Sequence, residues 1–273
     1  MTFIIAEIGV NHQGNAAVAR TLIDEAVNSG ADAVKFQTFD AERLEPEGPR
    51  RTILSNLMLI KQVFLELREY AESKNVKNSS RKVEFISTPF SVEDLCFLQA
   101  LGMKKIKISS GSLDDERLLR KAGDSQAQLI ISTGMSDMDR VRTAVFHTGR
   151  NYGISLLHCT SAYPTPLDEV NLRAMTALRR EFLCPVGLSD HTLSIHVPVA
   201  AVALGAKIIE KHLTLSRDMG GPDHHMSLEP HEFKEMANGI REIGLAMGDG
   251  EKKIQPSETN VIKITQERER HRC

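Results

Sequence analysis

Short apolar segments alternate with amphipathic segments along most of the chain. Eight apolar segments are typical of buried strands, and they cover residues 3–10, 33–39, 83–89, 105–109, 128–134, 154–160, 185–189 and 207–213. Between them, apolar residues recur at helical spacing, as at residues 17–30, 57–73, 92–102, 195–205 and 229–247. Gly30, Gly102 and Gly205 stand where helix C-caps belong. The pattern predicts an α/β protein in which strands and helices alternate.

Three segments repeat the same order of helix end, glycine, short link and strand. They are SGADAVKF (29–36), LGMKKIKI (101–108) and LGAKIIEK (204–211), and this order is typical of the αβ unit of a parallel sheet. Eight βα repeats within about 250 residues favour a (β/α)8 TIM barrel over an open doubly wound sheet. We therefore predict a TIM-barrel domain at residues 1–250, with a surface loop at 45–52, and a polar C-terminal tail at 251–273.

The bulk composition excludes several classes of function. With 34 basic and 36 acidic residues the net charge is -2, which gives no electrostatic basis for binding nucleic acid or a membrane surface. The first apolar run lacks a basic flank and contains Glu7, unlike a signal peptide, and no apolar run is long enough for a transmembrane helix. Cys96, Cys159, Cys184 and Cys273 form no CxxC pair, so we expect reduced thiols and a cytoplasmic protein.

Polar side chains follow the apolar part of every predicted strand. In a TIM barrel the strand C-termini form the working face, and there the chain places Glu7, Asn11, His12, Lys35, Gln37, Ser87, Thr88, Lys107, Ser109, Ser110, Ser132, Thr133, His158, Thr160, Ser161, Tyr163, Ser189, Asp190, His191, Glu210, Lys211, His212 and Asp223. A buried charge without a partner is costly. These groups must therefore satisfy one another or bind a ligand.

The types of side chain at this rim point to three kinds of chemistry. Lys35 and Lys107, together with several hydroxyls, suit a phosphate or carboxylate ligand. The histidines of GLSDHT (187–192) and IEKH (209–212) end adjacent strands and suit a divalent metal with open positions for substrate. The carboxylates of the rim suit acid–base work or the binding of sugar hydroxyls.

Each of these residues also has a structural interpretation. Lys35 and Lys107 taken singly are consistent with strand-end charges that pair with carboxylates of the same rim. His191 taken alone is consistent with a core histidine bonded to a backbone carbonyl, and His158 with a packing role. The histidines at 224–225 lie in a predicted loop and need not touch a metal. Convergence of polar groups from all the strands favours the functional interpretation.

A set of longer motifs carries a family resemblance. The runs are IAEIGVNHQGN (5–15), GADAVKFQT (30–38), ISTPF (86–90), KIKISSG (105–111), ISTGM (131–135), LLHCTSAYPTP (156–166), GLSDHT (187–192), IEKHLTL (209–215), GPDHHMSLEP (221–230) and GDGEKK (248–253). In these motifs and their order the chain resembles the sialic acid synthases, the N-acetylneuraminate synthase group that includes spore-coat polysaccharide SpsE-like homologues. The resemblance implies that residues 1–250 are a TIM-barrel synthase domain.

The resemblance implies a transferase of carbohydrate biosynthesis that condenses phosphoenolpyruvate with an aldehyde sugar such as N-acetylmannosamine. The products would be a nonulosonic, sialic-type 2-keto sugar acid and phosphate. A divalent metal, Mn²⁺ first with Mg²⁺ or Co²⁺ as alternatives, would act as a Lewis acid on the aldehyde oxygen. Two alternatives stay open: a phosphoenolpyruvate-dependent barrel enzyme with a different aldehyde acceptor, and a catalytically silent barrel that binds a phosphosugar.

The same resemblance implies roles for individual residues of this chain. It implies catalytic residues Glu7, His191 and His212, metal ligands His191 and His212, a phosphoenolpyruvate site of Lys35, Thr88, Lys107, Ser110, Ser132 and Ser189, and sugar contacts Gln37, Tyr163 and Asp223.

The chain also departs from the family pattern. Family members usually continue into an antifreeze-like domain that supplies an arginine to the partner's sugar site, and we expect this chain to lack it. Ser112 stands where the family commonly has Glu or Asp, and the loop after the second strand lacks the usual polar stretch. We therefore expect an intact phosphoenolpyruvate half and an altered acceptor half. The oligomeric state is left open, a homodimer through the barrel helices being one alternative.

Overall fold

The computed structural model describes residues 1–149 and 153–271. Eight parallel strands pair in sequence order and close into a barrel, which confirms the predicted TIM barrel. The strands are β1 (Phe3–Gly9), β2 (Ala33–Thr38), β3 (Glu84–Pro89), β4 (Lys105–Ile108), β5 (Gln128–Ser132), β6 (Ile154–Cys159), β7 (Val186–Asp190) and β8 (Ile208–His212). Each lies within two residues of its predicted bounds.

Helices connect the strands on the outside of the barrel. In the described ranges they are α1 (Ala16–Asn28), α2 (Ala41–Leu44), α3 (Pro49–Leu57), α4 (Lys61–Ser73), α5 (Val92–Ala100), α6 (Glu116–Gly123), α7 (Met138–His147), α8 (Ala174–Phe182), α9 (His196–Ala203), α10 (Pro230–Ala246) and α11 (Thr259–Arg270). Asn15, Ser91, Asp115 and Asp137 each accept a hydrogen bond from a first-turn N–H of the helix that follows. Such N-caps explain why helices begin directly after the strand-end loops.

Alternation along the strands divides the barrel interior into layers, because successive side chains of a strand point to opposite faces. The lower inward positions form an apolar cluster of Ile5, Ala33, Ile86, Ile130, Leu157 and Ile208. In the same layer β7 supplies Gly187, where an added Cβ would lie 2.1 Å from the Ile208 carbonyl oxygen, and β4 supplies Lys105, which lies 5.1 Å from the Phe3 ring centroid. We call this set the apolar layer.

Two residues further along every strand, the inward positions change character. They are Glu7, Lys35, Thr88, Lys107, Ser132, Cys159, Ser189 and Glu210, and all of them line one cavity. We call this set the polar layer. The outward positions pack against the helices in the main core, which includes Ile4, Val34, Ile106, Ile131 and Leu188. The apolar layer closes the barrel below, so the polar layer opens only towards the strand C-termini.

Two predicted boundaries are wrong at the connection after β2. The segment 45–52 was expected to be a surface loop, but α3 begins within it at Pro49. Proline suits the first position of a helix, since its missing N–H has no helical partner there, and Gly48 supplies the positive φ of 103° just before it. The helix expected at 57–73 begins only at Lys61, after an extended segment at Met58.

Several further predictions concern the surface and the thiols. Residues 251–271 are almost entirely exposed, and α11 lies within them. Cys96, Cys159 and Cys184 are free thiols, while Cys273 lies outside the described residues. Over the described ranges, no helix combines the length and the apolar character needed to cross a bilayer.

Asp32 ties the strand N-termini together at the closed end of the barrel. Its carboxylate is buried, accepts a hydrogen bond from the Ile4 N–H at 2.8 Å, and pairs with Arg81 at 2.9 Å and Arg241 at 2.7 Å. The Asp32 side chain therefore connects β1, the segment just before β3, and α10.

Asp32→Ala is expected to destabilise the fold by about 2 kcal/mol, because the buried Ile4 N–H then loses its acceptor. For a chain of this size that loss corresponds to a drop of roughly 5 °C in the thermal unfolding midpoint. Asp32→Asn, which keeps an acceptor oxygen, should lose less. An unchanged midpoint in Asp32→Ala would contradict the assigned role.

Candidate active site

The cavity above the polar layer lies at the C-terminal ends of the strands and has a volume of about 320 Å³. Besides the polar layer it is lined by Gln37, Phe90, Ser109, Ser110, Gly111, Met135, Ser161, Tyr163, His191 and His212. The sequence predicted catalytic, phosphoenolpyruvate-binding or metal-binding roles for nine residues. All nine line this one cavity. Of the predicted sugar contacts, Gln37 and Tyr163 line it, and Asp223 lies beside His212.

A buried ion-pair network occupies the cavity floor. The Lys35 ammonium lies 3.3 Å from a Glu7 carboxylate oxygen and 3.2 Å from Glu210, and it donates to the Thr88 hydroxyl at 3.3 Å. Burial alone lowers the pKa of Lys35, but Glu210 and Glu7 outweigh burial and hold the pKa above its ordinary value. Burial also raises the pKa of Glu210, but Lys107 and Lys35 outweigh it and leave that pKa lowered. Lys35 and Glu210 are thus an ion pair at neutral pH.

Glu7 and Lys107 have pKa values closer to neutral pH than their ordinary values. Burial raises the pKa of Glu7 to about 7, although Lys35 opposes the rise, and Gln37 donates to this carboxylate at 3.2 Å. Burial lowers the pKa of Lys107 to about 8, and its nearest carboxylate, on Glu210, is 3.9 Å away. Near neutral pH the cavity therefore offers a carboxylate able to accept a proton and a cation without a close counter-ion.

Hydroxyl groups surround these charges. Ser189 donates to Glu210 at 2.9 Å, while the Ser110 oxygen accepts from the Gly134 N–H at 2.9 Å. The Ser132 hydroxyl is buried and has no hydrogen-bond partner. A Cβ on Gly134 would lie 2.3 Å from the Ser161 hydroxyl and 2.9 Å from that of Ser110, so a side chain there would displace the hydroxyls. The Ser132 hydroxyl is free to bind a ligand.

Two imidazoles stand above the polar layer with ring centroids 5.5 Å apart. Nδ1 of His191 lies 3.0 Å from the Thr160 carbonyl oxygen, which requires Nδ1 to carry the proton and leaves Nε2 free. Nδ1 of His212 is buried without a hydrogen-bond partner and lies 3.8 Å from an Asp223 oxygen. The free ring nitrogens suit a divalent cation that keeps open positions.

The two imidazoles differ in basicity. Burial lowers the pKa of His212 well below its ordinary value, and His191 and the nearby lysines lower it further. Burial lowers the pKa of His191 as well, but its contacts with Cys159 and the Thr160 carbonyl outweigh burial and raise it. Across residues 1–149 and 153–271, no group of three His, Cys, Asp or Glu side chains is placed to hold a metal. The protein would thus offer two imidazoles, and other positions would belong to water or substrate.

Tyr163 and Gln37 lie at the mouth of the cavity. The Tyr163 ring is half exposed, with its centroid 4.3 Å from that of His191. A Cβ at Gly9 would lie 3.1 Å from the Gln37 amide nitrogen and 3.5 Å from an Asp223 oxygen. The close approach of the Gln37 amide and the φ of 54° together favour glycine at the β1 end.

The sequence places Asp190 and Lys211 among the rim groups, and the structure corrects this prediction. Both are buried on the outer face of β7 and β8, where their side chains form an ion pair at 2.5 Å. They alternate with the inward-facing Ser189, Glu210 and His212, so the period of two excludes them from the cavity.

Other rim candidates have structural roles. His158 lies 2.7 Å from the Val170 carbonyl oxygen, as the packing interpretation predicted. The His12 ring stacks on Phe36 at 5.8 Å, and burial lowers its pKa to about 4. Asn11 donates to the carbonyl oxygen at position 213 and to a serine hydroxyl at position 227.

Two residues of the polar layer have no individual role in the predicted site. Glu210, which the sequence places only among the rim carboxylates, bridges both lysines and Ser189. Cys159, which the sequence does not place at the rim, lies 3.8 Å from Nδ1 of His191. The alternation of inward positions along β6 is the signal that could have found Cys159.

Comparison with known proteins identifies the family. The NeuB family model matches residues 22–252. The N,N'-diacetyllegionaminic acid synthase of Campylobacter jejuni is 42% identical over 277 residues, which covers 96% of this chain and 82% of that protein.

Solved structures agree with the sequence match. The N-acetylneuraminic acid synthetase of Leptospira borgpetersenii, solved with citrate, has a TM-score of 0.88 at 35% identity and covers 97% of this chain and 91% of that one. The spore coat polysaccharide biosynthesis protein SpsE of Bacillus subtilis has a TM-score of 0.81 at 33% identity, covering 93% and 72%. The predicted relation to the sialic acid synthases, and with it the predicted class of transferase, is confirmed: this chain belongs to the NeuB family.

Proposed function

We propose that this protein condenses phosphoenolpyruvate with the aldehyde of an open-chain N-acylated sugar, giving a nonulosonic 2-keto sugar acid and phosphate. The observation that carries the proposal is the pair of buried lysines, Lys35 and Lys107, at the floor of a cavity that also holds a proton-accepting carboxylate, Glu7. The names of the relatives support the product class, since they are synthases of legionaminic and N-acetylneuraminic acids.

Phosphoenolpyruvate would bind across the polar layer. Its phosphate and carboxylate are both anions, and Lys107 is the cation whose nearest carboxylate is 3.9 Å away. The hydroxyls at the same level add hydrogen-bond donors to anionic oxygens, and they belong to Thr88, Ser110, Ser132 and Ser189. Lys35 is held between Glu7 and Glu210, so its charge is already largely neutralised. We therefore assign the main anion contact to Lys107.

The reaction forms one carbon–carbon bond and one carbon–oxygen bond, and it breaks one carbon–oxygen bond. C3 of phosphoenolpyruvate bonds to the aldehyde carbon, whose oxygen receives the carbonyl π pair and a proton to become a hydroxyl. A water oxygen bonds to C2, loses its protons as the 2-keto group forms, and the bond from C2 to the phosphate oxygen breaks with its electron pair leaving on phosphate. A base must take a proton from that water. Glu7 has a pKa of about 7, which suits a general base near neutral pH, and Gln37 orients its carboxylate.

A divalent cation such as Mn²⁺ fits the two imidazoles, because His212 presents a buried Nδ1 without a partner and His191 an Nε2 that its hydrogen bond leaves free. Bound there, it would supply Lewis-acid polarisation of the aldehyde oxygen. Imidazole ligands must be neutral. Cation binding would therefore strengthen as pH rises.

The acceptor sugar would lie above the cation, against the mouth of the cavity. Gln37 and Asp223 offer an amide and a carboxylate for sugar hydroxyls and the acylamino group, and the half-exposed Tyr163 ring offers an apolar face. An acceptor of the N-acetylmannosamine type fits these groups.

The test is phosphate release from phosphoenolpyruvate with Mn²⁺ across a panel of aldehydes, with the products detected by mass. The panel includes N-acetylmannosamine, 2,4-diacetamido sugars, and erythrose and arabinose phosphates. We expect release with an acylamino sugar and a product mass equal to the sum of both substrates and water minus phosphate. Release only with a sugar phosphate would indicate a different acceptor. Binding of phosphoenolpyruvate without release from any aldehyde would indicate a catalytically silent barrel.

The pH profile of kcat/KM for phosphoenolpyruvate is expected to be bell-shaped. Glu7 becomes a base as pH rises through about 7, and Lys107 loses its cation as pH rises through about 8, so kcat/KM should rise and then fall through these values. Lys107→Arg keeps the positive charge at high pH and should remove the falling limb. A falling limb that stays in place in Lys107→Arg would show that another group causes it.

His191→Ala is expected to lower Mn²⁺-dependent turnover by at least 100-fold, because one of two imidazole ligands is lost. The thermal unfolding midpoint should change little. His196→Ala, which removes an exposed histidine of α9, is the matched control and should retain activity. Turnover of His191→Ala close to that of the unmodified protein would remove the metal assignment.

A further inference from the structure

Lys211 is a lysine whose side chain is entirely enclosed by protein, on the side of β8 that faces away from the cavity. Its ammonium lies 2.5 Å from the Asp190 carboxylate. It also donates to the backbone carbonyl oxygen of Thr192 and, at 3.3 Å, to that of Ser194. All of these partners belong to the segment that leads from β7 to α9.

The same segment is folded around the ammonium by its own hydrogen bonds. One Asp190 oxygen accepts from the Thr192 N–H at 3.0 Å, and the other lies 3.1 Å from the Thr192 hydroxyl. That hydroxyl accepts from the Ser194 N–H at 3.1 Å. Residues 190–194 therefore form a loop closed on Lys211, and His191 is the second residue of this loop.

Stability alone is a poor reason for this arrangement. Removing an ammonium and a carboxylate from water is costly, and well-packed apolar side chains of similar volume are often at least as stabilising. The position of the pair suggests a different role, because it connects two neighbouring strands of the barrel. Here it joins the ends of β7 and β8, where Asp190 and Lys211 are paired in register.

The ends of these two strands carry the two imidazoles. His212 follows Lys211 directly, and His191 follows Asp190 directly. The far side of the His191 loop is held by Thr165, whose N–H donates to the His191 carbonyl oxygen at 3.0 Å. The ion pair therefore holds the loop from the helix side while Thr165 and the Thr160 carbonyl hold it from the cavity side.

We propose that Lys211 is a positioning residue for His191: its buried ammonium fixes the 190–194 loop and so sets the spacing of the two imidazoles at the cavity. The role for His191 as a cation ligand rests on the proposed function, whereas the position of its ring does not. Lys211 itself does not line the cavity.

The test compares three variants of the full-length protein. Lys211→Met leaves the Asp190 carboxylate buried without its cation and is expected to fold poorly. The double variant Asp190→Asn with Lys211→Met removes both charges and keeps an amide oxygen for the Thr192 N–H, so it is expected to fold. Asp32→Ala is the control at the opposite end of the barrel, because it removes a buried carboxylate and breaks its ion pairs with the partly exposed Arg81 and Arg241.

The first readout is Mn²⁺ binding to the metal-free protein by calorimetry, with MnCl₂ as the probe. We expect the double variant to bind Mn²⁺ about 10- to 100-fold more weakly than the unmodified protein, the range typical for loss of groups that orient metal ligands. Asp32→Ala should lower the unfolding midpoint but leave Mn²⁺ affinity unchanged. Affinity within twofold of the unmodified protein in the folded double variant would overturn the proposal.

The second readout needs no metal. Nitrogen-15 NMR of the imidazole rings, with His191→Gln used to assign the signal, reports the Nδ1 proton that faces the Thr160 carbonyl. We expect the double variant to shift or broaden this signal and Asp32→Ala to preserve it. If the His191 signal of the double variant is the same as that of the unmodified protein, the positioning role is overturned, whatever the Mn²⁺ affinity of the double variant. If the unmodified protein does not bind Mn²⁺ but the signal responds to the double substitution, the metal assignment fails and the positioning role stands.

Discussion

The site depends on one geometric constraint: in a closed parallel barrel, alternate residues of every strand point into a shared interior. The eight inward positions above the apolar layer all line one cavity at the C-terminal ends of the strands. The apolar layer excludes water from below, so the charges above it are buried on all sides except the mouth. One shift of register in a single strand would exchange a functional side chain for a core residue.

Burial then determines how each charge behaves. Lys35 and Glu210 keep their charges because each has oppositely charged neighbours. Glu7 and Lys107 are less well compensated, and the pKa of each moves towards neutrality. The floor of the cavity thus combines a fixed ion pair with a carboxylate and an ammonium that can change protonation state near neutral pH. Such a set suits an anionic substrate whose reaction requires a proton transfer.

The sequence was sufficient for the barrel and for most of the residues that line the cavity, for a physical reason. Strand ends such as those at Lys35 and His191 carry polar groups directly after apolar runs, and that signal needs no knowledge of packing. Asp190 and Lys211 were misplaced because a list of strand-end residues ignores which face each one occupies. The helix at Pro49 was missed because glycine and proline suggest a loop unless their order is considered. The contacts that hold the His191 loop involve residues far apart in the chain, and only the structure reveals them.

We propose that the polar layer and the two imidazoles form one site for phosphoenolpyruvate and a divalent cation. The decisive experiment is a crystal structure of the protein with phosphoenolpyruvate and Mn²⁺. We expect an anionic group of phosphoenolpyruvate in contact with the Lys107 ammonium and the Ser132 hydroxyl, and Mn²⁺ bound by nitrogen atoms of His191 and His212. Phosphoenolpyruvate bound outside the cavity, or Mn²⁺ bound away from both imidazoles, would contradict it.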